Sequence, residues 1–215
     1  MRSRAMLWWG IGMLAAAAAL GAVIVFGYTE PPGFDRWWNS EVVENRAEWM
    51  LDGALVLDHI GGGWVAILGV PLLVIVALLL ARRWRGALFA AMAFLASAGT
   101  VQLLKHLFGR ARPDDMIVAS DFGSFPSGHA ANAATIALVL YLLFPRVWVA
   151  VAGAVWVVAM ALSRTLLSVH WATDTVGGAL VGAGVVLVIA GFVLPWARTM
   201  SERIPRRIAP AAPVG

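Results

Sequence analysis

Apolar and polar positions alternate along this chain on the scale of whole helices. Runs without a charged side chain cover residues 5–28, 62–81, 86–104, 128–144, 147–162 and 175–196. A helix rises about 1.5 Å per residue and the hydrocarbon core of a bilayer is about 30 Å thick, so about 20 apolar residues cross it. The first, second, third and sixth runs meet that length. The fourth and fifth are short, and their helices are expected to extend into the flanking polar residues. In lipid every backbone amide must be satisfied within its own segment, which selects helices, and the period-two pattern of a barrel strand is missing. The pattern predicts an all-α, polytopic membrane protein with six transmembrane helices forming a helical bundle.

Composition supports a membrane solvent. Of 215 residues, 61% are hydrophobic and 13% charged, where a soluble domain carries about a quarter charged. These values exclude a disordered chain, a nucleic-acid-binding arm and an ordinary water-soluble enzyme. With no cysteine, disulfides, thiolate zinc sites and cysteine nucleophiles are excluded as well. The net charge of +4 reads as basic ends on a membrane protein. With the N-terminus inside, inner segments hold ten basic residues: Arg2, Arg4, Arg82, Arg83, Arg85, Arg146, Arg198, Arg203, Arg206 and Arg207. The outer segments hold six: Arg36, Arg46, Lys105, Arg110, Arg112 and Arg164. The excess marks the cytoplasmic side, so both termini are expected in the cytoplasm of a plasma-membrane protein. Ten of the eleven tryptophans fall near run ends, at headgroup level; Trp156 lies mid-span and is expected to pack in the core.

The first run follows Arg2 and Arg4, but it is too long for a signal core and lacks a small-residue cleavage site, so it reads as an uncleaved span. Residues 1–61 are then a first span plus an outer connector, 62–197 a five-helix core, and 198–215 a basic cytoplasmic tail, all in one membrane domain. In the connector, Trp38, Val42, Trp49 and Leu55 interleave with Glu41, Glu44, Glu48 and Asp52. A helix lying on the outer membrane surface and a solvated connector both suit that pattern. The Pro-rich tail after Arg207 is expected to fray.

Polar chemistry gathers in three places that the topology puts on one membrane face. Lys105, the single lysine, opens Lys105-His106-Leu107-Phe108-Gly109-Arg110-Ala111-Arg112-Pro113. Pro126-Ser127-Gly128-His129 opens the fourth span, and Ser163-Arg164 with His170 and Asp174 bridges the last two. Lys105, Arg112 and Arg164 bring three cations to a low-dielectric edge, with no acid at a spacing that would neutralise each. Such cations are costly and mark function, and a phosphate supplies the missing charge. Ser127 caps a helix or donates to the anion, while Gly128 and the first free N–H groups of the fourth helix complete a cradle. His170 and Asp174, spaced i, i+4, share a helical face; the carboxylate fixes the imidazole tautomer and leaves the other nitrogen free to attack. His129 is placed to protonate a leaving oxygen.

Other polar residues receive plainer readings. His59 and His106 read as interfacial or packed, and Arg110 as a surface or headgroup contact. Gly178 and Gly182 read as helix packing, Pro71 as a bend in the second span, and Gln102 and Asn132 as interhelical links. Asp114, Asp115 and Asp121 read as solvated loop acids rather than a metal site.

Together the three clusters resemble the membrane-bound type 2 phosphatidic acid phosphatases (lipid phosphate phosphatases), relatives of the vanadium haloperoxidases. That family's pattern is Lys, six residues, Arg-Pro; then Pro-Ser-Gly-His; then Ser-Arg, five residues, His, three residues, Asp. Lys105 with Arg112-Pro113, the Pro126–His129 tetrad, and Ser163-Arg164 with His170 and Asp174 keep every spacing. The resemblance covers roughly residues 62–196. It implies a phosphohistidine on His170 with Asp174 as its partner, His129 as the acid, and Lys105, Arg112, Ser127, Gly128 and Arg164 around the phosphoryl oxygens. It also implies a lipid-linked substrate in the bilayer, no metal or other cofactor, and no nucleic-acid partner. Candidate substrates are a polyprenyl diphosphate, phosphatidic acid and phosphatidylglycerol phosphate. Transfer of the phosphoryl group to another lipid, anion transport or sensing, and haloperoxidase-like use of vanadate are the alternatives.

Overall fold

The computed structural model of the protein describes residues 3–61 and 68–201. Among the described residues the secondary structure is helical, with no strand. In chain order the helices are α1 (Ser3–Gly27), α2 (Gly33–Asn45), α3 (Glu48–Gly61), α4 (Val70–Leu80), α5 (Trp84–Phe108), α6 (Gly128–Leu143), α7 (Val147–Leu166) and α8 (Ala172–Ser201). Among the described residues, four stretches are long and apolar enough to cross a membrane: α1, α5, α7 and Ala172–Val193 of α8. α4 and α6 are apolar but shorter. The six expected runs therefore appear as four membrane-length helices and two short ones. Residues 62–67 of the second run and the tail beyond Ser201 lie outside the described residues.

α7 continues past its apolar run through Ser163-Arg164 to Leu166, as the short-run argument expects. α6 begins at Gly128 and stays at 16 residues. Pro71 stands in the first turn of α4, where a missing N–H is tolerated. The connector is two helices rather than a coil, with Trp37 and Trp49 exposed.

α8 is the central staff of the bundle, packed against α1, α6 and α5. Its apolar residues Val186 and Ala190 join Phe89, Ala90 and Ala93 of α5 and Val139 of α6 in the largest buried cluster. Apolar side chains gain little by leaving lipid, so close backbone approach and shape matching hold such helices together. Gly178 and Gly182 fill that role as expected. A Cβ at Gly178 would lie 2.3 Å from the Ser127 carbonyl oxygen, and one at Gly182 would lie 2.1 Å from that of Ala131. The start of α6 is thereby pressed against the start of α8, and the Ser127 N–H donates to the Asp174 carbonyl at 2.9 Å. The C-terminal ends of α5 and α7 and the N-terminal ends of α6 and α8 meet at one end of the bundle.

Candidate active site

Each cluster is delivered by a helix end whose termination is encoded locally. α5 stops at Gly109, a left-handed cap with φ 54°, leaving Lys105 in its last turn, 2% exposed. The loop beyond Gly109 returns through Gly123, whose φ of 70° turns its carbonyl toward the cations. That carbonyl accepts from Lys105 Nζ at 2.8 Å and from Arg112 Nη2 at 2.9 Å. Ser127 caps α6, its Oγ accepting from the Ala130 N–H at 3.4 Å. Arg164 sits in the last turn of α7, 1% exposed, and a tight turn through Ser168 (φ 53°) carries the chain to His170.

The geometry brings the predicted groups together. Lys105, Gly128, His129 and His170 line one cavity of about 530 Å3. Arg112 reaches it by donating to the Val169 carbonyl, and its Nη1 stands 3.3 Å from His170 Nε2. Arg164 Nη1 stands 3.1 Å from His129 Nε2, while its buried Nη2 has no hydrogen-bond partner. His170 Nδ1 faces Asp174 Oδ2 at 3.5 Å, longer than a hydrogen bond. Its Nε2 is therefore the nitrogen turned toward the cations. Burial pushes the His170 imidazole down to about 4, the neighbouring Asp174 carboxylate opposing, so the ring is neutral near neutral pH.

Three expectations require correction. The cations are not without acids. Asp121 Oδ1 accepts from Lys105 Nζ at 2.9 Å and from Arg112 Nη2 at 2.7 Å, and Asp58 Oδ1 accepts from Arg164 Nη1 at 2.5 Å. Asp121 is a solvent-exposed loop acid, as expected, but it also pairs with two of the cations. Burial disfavours its ionised form, but the hydrogen bond and charge of Lys105, with Arg112, outweigh that and hold its pKa below the usual range. Asp115 is engaged as well, accepting from Asn39 at 3.1 Å and Ser168 Oγ at 2.8 Å. Arg110 is not a headgroup contact: it is buried, donating to Asp174 Oδ1 at 2.5 Å and Asp35 Oδ2 at 2.6 Å.

Sequence reasoning missed Asp35 and Asp58, which the connector helices carry into the site. Asp58 lies 3.5 Å from His129 Nε2, and its contact with His129 and hydrogen bond from Arg164 hold its carboxyl well below the usual carboxylate range. The signal for Asp58 was an acid directly after the apolar run Ala54-Leu55-Val56-Leu57. Arg46 ties the connector to the α7–α8 turn, donating to the Leu166 carbonyl at 3.2 Å and to Ser168 Oγ at 3.1 Å. His106 packs on Phe122 outside the cavity, as expected for an interfacial ring, whereas Gln102 and Asn132 line the cavity.

These features define a helical membrane protein whose helix ends converge on a cationic cradle flanked by two imidazoles. The PAP2 superfamily profile matches residues 84–198, and the chain belongs to that superfamily of phosphatases. It is 38% identical over 151 residues to the decaprenylphosphoryl-5-phosphoribose phosphatase of Mycobacterium tuberculosis, covering 65% of this chain and 78% of the relative. With the lipid A 1-phosphatase of Rhizobium johnstonii it shares 35% identity over 120 residues, half of this chain and 47% of that one. In fold it is similar to the transmembrane PAP2-type phosphatidylglycerolphosphate phosphatase of Bacillus subtilis, with a TM-score of 0.71 and 24% identity over 94% of this chain and 100% of the other. Aquifex aeolicus LpxE superposes with a TM-score of 0.60 at 23% identity, over 73% of this chain and 92% of the other.

Proposed function

We propose that this protein is an integral membrane lipid phosphatase that hydrolyses a lipid phosphate monoester or diphosphate at the extracytoplasmic face. One observation carries the reading. The cavity that holds Lys105, His129 and His170 also has apolar walls from Pro71, Phe94 and Val101, so the space that suits a phosphate adjoins a space that suits a lipid tail. The unpartnered Nη2 of Arg164 adds a buried donor in want of an acceptor, a role a phosphoryl oxygen fills.

In this mechanism His170 Nε2 attacks phosphorus while Asp174 steadies the ring at Nδ1. The bond from phosphorus to the leaving oxygen breaks, and that oxygen takes the proton from His129. Lys105, Arg112, Arg164, the Ser127 hydroxyl and the backbone N–H of Gly128 neutralise the charge spread over the equatorial oxygens. Water then gives its proton to His129 and attacks the phosphohistidine, releasing phosphate and free His170. The side chains themselves supply the charge stabilisation, so turnover needs no metal ion.

The substrate class is a polyprenyl diphosphate, phosphatidic acid or phosphatidylglycerol phosphate. The relatives' names, which include phosphatases of decaprenylphosphoryl-5-phosphoribose and phosphatidylglycerophosphate, support a lipid carrier. The topology that goes with this reading has six spans, α1, the segment through α4, and α5 to α8. Both termini are cytoplasmic and the site is outside, following the arginine excess at the opposite end.

A lipid panel tests the assignment on purified protein in detergent, with and without chelator, beside His170→Ala. The expected result is phosphate release that survives chelator and is lost in His170→Ala. Full release by that variant would overturn the proposal, and phosphate appearing on an acceptor lipid would make the protein a transferase.

A further inference from the structure

Asp174 carries a load that the nucleophile alone does not explain. It is fully buried, and its Oδ2 accepts the Trp171 N–H at 2.9 Å while facing His170. Its Oδ1 is held by Arg110 Nη1 at 2.5 Å. A lone guanidinium against a lone carboxylate in a buried site would cancel the charge that a cationic His170 requires. Here the guanidinium is shared. Arg110 Nη2 donates to Asp35 Oδ2 at 2.6 Å, and Asp35 is 0% exposed. Asp35 is fixed in turn by the neighbour of Asp174: it accepts the Thr173 N–H at 3.0 Å and the Thr173 hydroxyl at 2.6 Å. Arg110 Nη1 also donates to Thr173 Oγ1 at 2.9 Å, which closes the ring.

We propose that Arg110 and Asp35 are positioning residues for the His170–Asp174 pair: Arg110 aims the Asp174 carboxylate, and Asp35 absorbs the guanidinium charge so that the buried group keeps a net negative charge beside His170. Two carboxylates and one guanidinium sum to −1, directed at the ring that becomes cationic when phosphorus binds Nε2. Buried ion pairs are sensitive to such a balance, because removing one partner leaves an uncompensated charge. Asp35 lies outside the span of the family match and enters from α2, so this helix completes the site rather than merely linking two spans.

The inference rests on the phosphohistidine reading, and the test separates the two. The charged and titratable groups facing His170 are Asp174 of α8, Lys105 of α5, and Arg112 and Asp121 of the α5–α6 loop. None of these is altered in Asp35→Asn, Arg110→Gln or Arg110→Lys. Each variant is assayed with the panel lipid turned over fastest, for kcat, KM and the acid limb of the pH profile, alongside its thermal midpoint. Asp35→Asn leaves Asp174 fully cancelled: kcat falls at least tenfold at a KM within threefold of the parent, and the acid limb moves to lower pH. Arg110→Gln lifts the cation from Asp174 and moves the limb to higher pH, while Arg110→Lys restores it.

Parent-like kcat and limb in all three variants would overturn the proposal. So would limbs that move the same way in step with a lost thermal midpoint, since that describes structural damage alone. If Asp35→Asn does not fold, the two Arg110 variants decide: identical limbs in both sink the idea. His170→Ala is the control. If it turns over normally, the nucleophile assignment has failed; if it is inactive while the other variants behave as the parent, only the positioning role has failed.

Discussion

Asp58 Oδ1 sits between Arg164 Nη1, 2.5 Å away, and His129 Nε2, 3.5 Å away, the two groups proposed above as clamp and acid. Asp121 stands in the same relation to Lys105 and Arg112. The cradle's cations are thus paired by two carboxylates, one from α3 and one from the α5–α6 loop.

On the proposed reading, an incoming phosphate competes with these acids for the same donors. Removing one acid should tighten anion binding. Asp121→Asn is expected to lower the inhibition constant of inorganic phosphate roughly tenfold, equivalent to about 1.4 kcal/mol. An unchanged or weaker constant, measured by competition at fixed ionic strength, would show that Asp121 does not compete.

The demand for a proton depends on the leaving group. His129→Ala should slow hydrolysis of a lipid monophosphate, whose leaving group is an alcohol, by about 10²–10⁴-fold. A lipid diphosphate, whose leaving group is itself a phosphate, should suffer at least tenfold less. Equal losses on both substrates would remove His129 from the role of acid.

His170 is held down to about 4 by burial, so it is neutral above that pH and charged below it. A nucleophilic imidazole is then lost on acidification, and the lost limb of kcat/KM should centre near pH 4 rather than near the usual histidine value of about 6.5. The profile is corrected for the substrate's own second ionisation, measured separately. A limb remaining near 6.5 after that correction would place His170 in water.

Packing at Gly178 and Gly182 holds the second and third clusters in register. Gly182→Ala, with its new methyl 2.1 Å from a backbone oxygen, should cost about 1–3 kcal/mol and lower both thermal midpoint and activity. Gly12→Ala, where a Cβ meets nothing within 4 Å, should leave both unchanged. Differential scanning fluorimetry in detergent separates the two outcomes.

Much of this architecture was legible because single residues announce it. An apolar run of about bilayer length, a lysine at its end and a Pro-Ser-Gly-His helix start are local features. So are the i, i+4 spacing of His170 and Asp174 and the Gly178–Gly182 pair. What stayed hidden was long-range. Asp35 meets Arg110 across 75 positions, and Asp58 meets Arg164 across 106. Both acids sit on helices whose other residues spell only an amphipathic surface, so the pattern reported the connector's exterior and not the two side chains it turns inward. Arg110 was misread for the same reason, since nothing within its own loop reveals a buried partner.

The α2–α3 connector bears on how this protein can be taken apart. A chimera that keeps residues 84–198 and borrows its first half from another phosphatase would inherit every motif residue. It would lose the acid beneath Arg110 and the acid beside Arg164 unless the donor supplies them. On the positioning role proposed for Asp35, the smallest transplantable unit begins no later than that residue.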